Sequence, residues 1–174
     1  MSEIRHKVFI LYHHDDQDEA EKFAETFDPE CKVFIPPVLS LGMEQYIIDS
    51  DNMDYVMRKI RERYLRDSTV TLVLIGKCTW ARRYVDWKIQ ASLWHGETVI
   101  PNGLLGIVLP SAGEKPILPD RLKKNSEGYA QLYDYPQRKD TLASWIEDAF
   151  QARTGRAHLI VNPRDRLEYN KPCP

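Results

Sequence analysis

Thr69-Val-Thr-Leu-Val-Leu-Ile-Gly76 is followed by Lys77-Cys-Thr-Trp-Ala-Arg-Arg83 and then Tyr84-Val-Asp-Trp-Lys-Ile-Gln-Ala-Ser-Leu93. The first segment is apolar and rich in β-branched residues, and it ends at a glycine. A continuous apolar run of this length predicts a strand covered on both faces, as in a parallel sheet. The third segment carries apolar residues at helical spacing, so the block reads as strand, turn and helix.

Outward from this block the same alternation continues. Lys7-Val-Phe-Ile-Leu-Tyr12 is a buried strand, and His13-His-Asp-Asp-Gln17 is the polar turn after it. Asp15 or Asp16 is placed to cap the next helix, with Glu19 completing a capping box. Ala20, Phe23, Ala24 and Phe27 form that helix's apolar face. Cys31-Lys-Val-Phe-Ile35 reads as a second strand, stopped by Pro36-Pro37. Residues 38–52 form a long loop containing Glu44, Asp49 and Asp51. Tyr55, Val56, Ile60 and Tyr64 mark a helix. Gly103-Leu-Leu-Gly-Ile-Val-Leu-Pro110 is another buried strand, Tyr129 to Tyr135 a weaker one, and Leu142 to Ala152 a helix. We therefore expect an α/β doubly wound sheet of about five mostly parallel strands over residues 1–155. Residues 156–174 would be a tail that packs on this domain or extends from it. Ligands of such sheets sit at the carboxyl ends of the strands, here in the loops beginning at Tyr12, Pro36 and Gly76.

Composition narrows the function classes. The chain has 174 residues, 43% of them hydrophobic, which suffices for one core. Its net charge of −2 gives no basic excess to attract nucleic acid or anionic lipid. No apolar run approaches a membrane span and no signal-peptide core follows the N-terminus, so a cytoplasmic location is expected. Cys31, Cys78 and Cys173 are scattered and odd in number. They suggest neither a disulfide framework nor a metal site.

The segments His6 to Gln17, Tyr64 to Ile89 and Asn102 to Pro110 resemble the TIR-like family that includes the NAD-processing subunit of the Thoeris anti-phage defence system. The likeness spans roughly residues 5–153. It implies a flavodoxin-like sheet, and NAD as the substrate of a glycohydrolase or ADP-ribosyl cyclase. The nicotinamide–ribose bond would be cleaved to give a cyclic or hydrolysed ADP-ribose signal. It also implies signalling to a downstream effector protein. The family's glutamate lies four residues beyond an aromatic in the helix after the third strand. Tyr84 fills the aromatic position here, and Lys88 fills the glutamate position.

That departure matters chemically. Cleaving the nicotinamide bond develops positive charge on the ribose, which a carboxylate stabilises. An ammonium has three donors and no acceptor, and it repels the developing cation. Lys88 is read as a solvated or ion-paired helix residue, the alternative being a desolvated base with a lowered pKa. Asp86 lies about 200° around the helix from Lys88 and should point elsewhere. Glu44, Asp49 or Asp51 would have to supply a replacement carboxylate from the long loop. The alternative function is a non-catalytic scaffold or nucleotide-binding module. A phosphorelay receiver on a similar sheet is disfavoured, because its acid after the third strand is Gly76-Lys77 here.

The candidate contacts to a nucleotide ligand are Tyr12, His13, His14, Asp15, Asp16, Cys78, Trp80, Arg82, Arg83 and Tyr84. The histidines suit nucleotide contact or proton transfer, and as an adjacent pair they are only a weak metal signal. Arg82 and Arg83 suit a pyrophosphate at a helix N-terminus, or else solvent or the acidic loop. Cys78 lacks an activating His or Asp in sequence and reads as a loop or packing residue rather than a nucleophile. On the helical wheel Val85, Ile89 and Ser92 face the sheet. Trp87, Ala91 and Trp94 lie on the far side, with Trp80 leading into it. Such a stripe should not face water, so either the tail or a second copy of the chain covers it.

Overall fold

The computed structural model describes residues 6–29, 33–34 and 49–174. Four strands form one parallel sheet in the order β1 (Val8–Leu11), β2 (Val70–Ile75), β3 (Gly103–Val108), β4 (Gln131–Tyr133). Among the described residues five α-helices accompany them: α1 (Gln17–Phe27), α2 (Met53–Arg63), α3 (Arg83–Leu93), α4 (Asp120–Asn125) and α5 (Lys139–Gly155). The α/β architecture read from the apolar runs is the observed one. Most of the expected strand at residues 31–35 lies outside the described residues. Its Phe34 makes a parallel bridge to Val8, and Val8 N–H donates to the Val33 carbonyl at 3.0 Å.

Alternation along each strand splits the core into two layers. Phe9, Leu11, Val73, Ile75 and Leu104 join Val56, Ile60, Val85, Ile89 and Leu122 on one face, under α2, α3 and α4. Val8, Ile10, Leu72, Leu74 and Ile107 join Phe23, Phe27, Leu142 and Ile146 on the other, under α1 and α5. Both faces are covered, which is why the strands are apolar throughout. Gly103 is required by close packing: a Cβ there would collide with the Ala149 carbonyl of α5.

A local signal accounts for the start of α2. Asn52 Oδ1 accepts the Tyr55 N–H at 3.1 Å and caps α2. The α1 reading needs correction. Asp16 occupies the N-cap position, but its side chain makes no capping bond. Glu19 instead accepts a hydrogen bond from the Ser111 hydroxyl in the loop after β3.

The cysteines are a second correction. Cys78 and Cys173 form a disulfide with Cα atoms 5.8 Å apart, across 95 residues of sequence. Scattered cysteines hid this pairing because only the returning chain brings them together. Between α5 and this bond the tail runs against α3 and α4. Trp87 Nε1–H donates to the Leu167 carbonyl at 2.7 Å, and the Arg166 guanidinium lies 3.9 Å from the Trp87 ring centroid. Gln90 Nε2 donates to the carbonyls of Pro163 and Arg164. Arg83 donates through its backbone N–H to Asn170 Oδ1 and through its side chain to the Glu168 carbonyl. The far face of α3 is thus covered by the chain's own tail at Trp87, which is buried. Trp94 is half-buried against the core.

Candidate functional site

The carboxyl ends of β1 and β2 bring two loops together. After β1 the chain passes Tyr12 and His13 and enters a 3-10 turn, His14–Asp16. After β2 it turns at Gly76 and passes a 3-10 turn, Thr79–Ala81. Thr79 holds this second turn, since its hydroxyl oxygen accepts the Gly76 N–H at 2.8 Å. Gly76 is the point of closest approach. Any Cβ there would overlap the Asp16 carboxylate, so only glycine lets Asp16 lie against the end of β2.

Asp16 is the chemically unusual group. Its Oδ2 is buried without a hydrogen-bond partner among the described residues. Burial, aided by the charges of Glu19 and Asp15, raises its pKa to about 6. His13 is also buried and is pushed below its ordinary value, first by burial and then by the charge of His14, while Asp15 pulls the other way. His13 Nε2 and His14 Nε2 each stand 3.2 Å from an oxygen of Asp15. These three side chains place ligand atoms within 4.8 Å of one another, close enough to share a cation. Arg82 is near enough for its charge to depress His13 further.

Lys88 is not solvated. It is 1% exposed, with Nζ 4.6 Å from the centre of the Tyr64 ring, and burial lowers its pKa from 10.5 to about 7. The α2–α3 packing encloses it, so Lys88 is a buried amine and not the solvated residue expected from the sequence. Of the loop acids, Glu44 lies outside the described residues. Asp49 and Asp51 line a cavity of about 660 Å³ with Arg83, Trp87 and the tail.

A family model described as "Thoeris protein ThsB, TIR-like domain" matches residues 9–113. The chain belongs to this family. No curated protein matches it. The matched span runs from β1 through β3 and so includes His13, Asp16, Gly76, Arg82 and Lys88.

The structure therefore sorts the sequence candidates. His13, His14, Asp15, Asp16 and Arg82 gather at the strand ends, next to Tyr12. Arg83 and Tyr84 turn toward the tail, with Tyr84 in an edge contact to Trp87 at 6.3 Å. Cys78 is held in its disulfide, and Trp80 lines a cavity beside the tail that Arg82 also borders. Asp86 does point away from Lys88, as its helical angle requires. It accepts from Arg121 Nε at 2.9 Å and from the Leu167 N–H at 2.9 Å. Sequence reading missed Arg121 and α4 altogether; Pro119-Asp120 before a short apolar-basic turn was the available signal. Among the described residues no helix is long and apolar enough to cross a membrane.

Proposed function

We propose that this protein is a signalling component of anti-phage immunity that handles NAD or an ADP-ribose-type nucleotide at the carboxyl ends of β1 and β2. Asp16 takes the carboxylate role that Lys88 cannot fill. One observation carries this reading: at the carboxyl ends of β1 and β2 stands a half-buried carboxyl group, raised to about 6, one of whose oxygens is buried against Gly76 without a hydrogen-bond partner among the described residues. A group titrating near neutrality suits acid–base work.

In the reaction the bond between the nicotinamide nitrogen and ribose C1′ breaks, and its electron pair leaves with nicotinamide. Ionised Asp16 stabilises the cationic ribose. A water or hydroxyl oxygen then bonds to C1′, and its proton passes to Asp16. Arg82 offers a planar cation for a pyrophosphate.

Burial of Lys88 supports the second reading, a nucleotide-binding module without turnover. The two separate in one assay, nicotinamide release from NAD by the purified parent, Asp16→Asn and Lys88→Glu. Release by the parent, reduced at least about 100-fold in Asp16→Asn, is expected. Release that appears only in Lys88→Glu would assign the chain to the non-catalytic class and remove Asp16 from the mechanism.

A further inference from the structure

A second cavity, of about 500 Å³, opens between the turn after β2, the α4 N-terminus and the tail. Its size is that of an ordinary small-molecule site. Its charge runs against the rest of the chain: six cationic side chains and three acidic ones line it, in a protein of net charge −2. The acids are largely consumed. Asp86 pairs with Arg121 at 2.9 Å, and Asp120 pairs with Lys124 at 2.9 Å. Arg82, Lys123 and Lys171 make no ion pair among the described residues. Cations gathered around a concave surface focus a positive potential into it.

The wall also has an apolar part. Ile117 is 54% exposed, and Trp80 stands in the same lining. The Trp80 indole N–H is buried without an acceptor among the described residues, a donor the fold leaves unused. The tail forms one side of the cavity, and the Cys78–Cys173 bond anchors it.

We propose that this cavity is a second ligand site, for a small diphosphate carrying an apolar or aromatic body. Arg82, Lys123 and Lys171 hold the phosphates, and Trp80 with Ile117 borders the body. The site shares Arg82 with the strand-end cluster but does not include the Asp16 carboxyl group, and it stands whether or not Asp16 supports turnover of NAD.

Calorimetric titration of the oxidised full-length chain tests it, with ADP and inorganic pyrophosphate as probes. Lys123 and Lys171 are exposed, so Lys123→Ala/Lys171→Ala leaves the fold intact. The proposal expects both probes to bind and ADP to bind more tightly. The double variant should weaken ADP at least tenfold while Asp16→Asn leaves it within twofold, and raising salt should weaken both probes. It is overturned if neither probe binds or if the double variant binds ADP as the parent does. Loss of ADP binding in Asp16→Asn alone would also overturn it, by placing the ligand at the strand ends.

Discussion

Arg121 holds Asp86 through Nε at 2.9 Å while its remaining nitrogens bind the tail at Asn162 Oδ1, the Pro163 carbonyl and the Asp165 carbonyl. At 4% exposure it is a buried cation whose partners come from α3 and from the tail. Removing one member of a buried pair leaves the other charge and several carbonyls uncompensated. Arg121→Ala should therefore destabilise the protein by about 3–5 kcal/mol. Urea unfolding measures this; a loss below about 1 kcal/mol would mean that the tail re-pairs without it.

The Cys78–Cys173 bond closes a loop of 95 residues' separation. On the chain-entropy account such a crosslink adds about 4–5 kcal/mol to stability. Cys173→Ser should lower the unfolding midpoint to the value of the reduced parent. It should also raise hydrogen exchange at the amides of Leu167 and Lys171, which bond to Asp86 and Ala81. Thiol titration of the unfolded, unreduced protein should count one thiol, since the chain has three cysteines and the bond uses two. Three free thiols in air-oxidised protein would contradict the bond.

Lys88 sets a pH dependence whose sign is fixed by its lowered pKa. Its folded value of about 7 lies below 10.5. The unfolded chain binds the extra proton between those values, so stability rises with pH across that window. The destabilising effect of burying Lys88 is complete below pH 7 and fades toward pH 10.5. Lys88→Met should stabilise the protein at pH 6.5 and do so less at pH 9.5, as read by urea midpoints. Equal gains at both values would show that desolvation is not what shifts this group.

Asp16 works in the opposite sense. Its folded value of about 6 lies above 3.8, so the folded state binds the extra proton between pH 4 and 6, and stability falls as pH rises through that range. Asp16→Asn should match the parent near pH 4. At pH 7.5 it should exceed the parent by on the order of 1 kcal/mol, the shift being discounted for the group's partial exposure.

Gly76 and Asp16 are coupled by contact. Gly76→Ala should displace the carboxylate and destabilise the protein by about 1–3 kcal/mol. In an Asp16→Gly background the same change should be nearly neutral, because the overlapping atoms are gone. A double-mutant cycle gives the coupling directly; additive effects would place the two residues apart.

Much of this could be read from the chain alone. The runs at Val8–Leu11, Val70–Ile75 and Gly103–Val108 declare a parallel sheet because a strand buried on both faces has to be apolar at consecutive positions. The wheel of α3 separates Ile89 from Trp87, and the turn after β1 collects His13 to Asp16. These signals are local, carried by periodicity and by residues adjacent in sequence.

Other decisions belong to the tertiary structure. Lys88 reads as a surface lysine until α2 places Tyr64 against it. Asp16 reads as a helix cap until Gly76 admits its carboxylate to the end of β2. Cys78 reads as a lone cysteine, and Trp87 as covered either by the tail or by a second copy, until the tail returns from more than 75 residues away. In each case burial and pairing come from a segment remote in sequence, and no pattern within one helix or turn records which remote segment will arrive. The sequence alone determines the sheet, its ligand end and the family. Which charges are sealed, which titrate away from their ordinary values and what covers the back of α3 depend on packing, because desolvation is a property of neighbours in space.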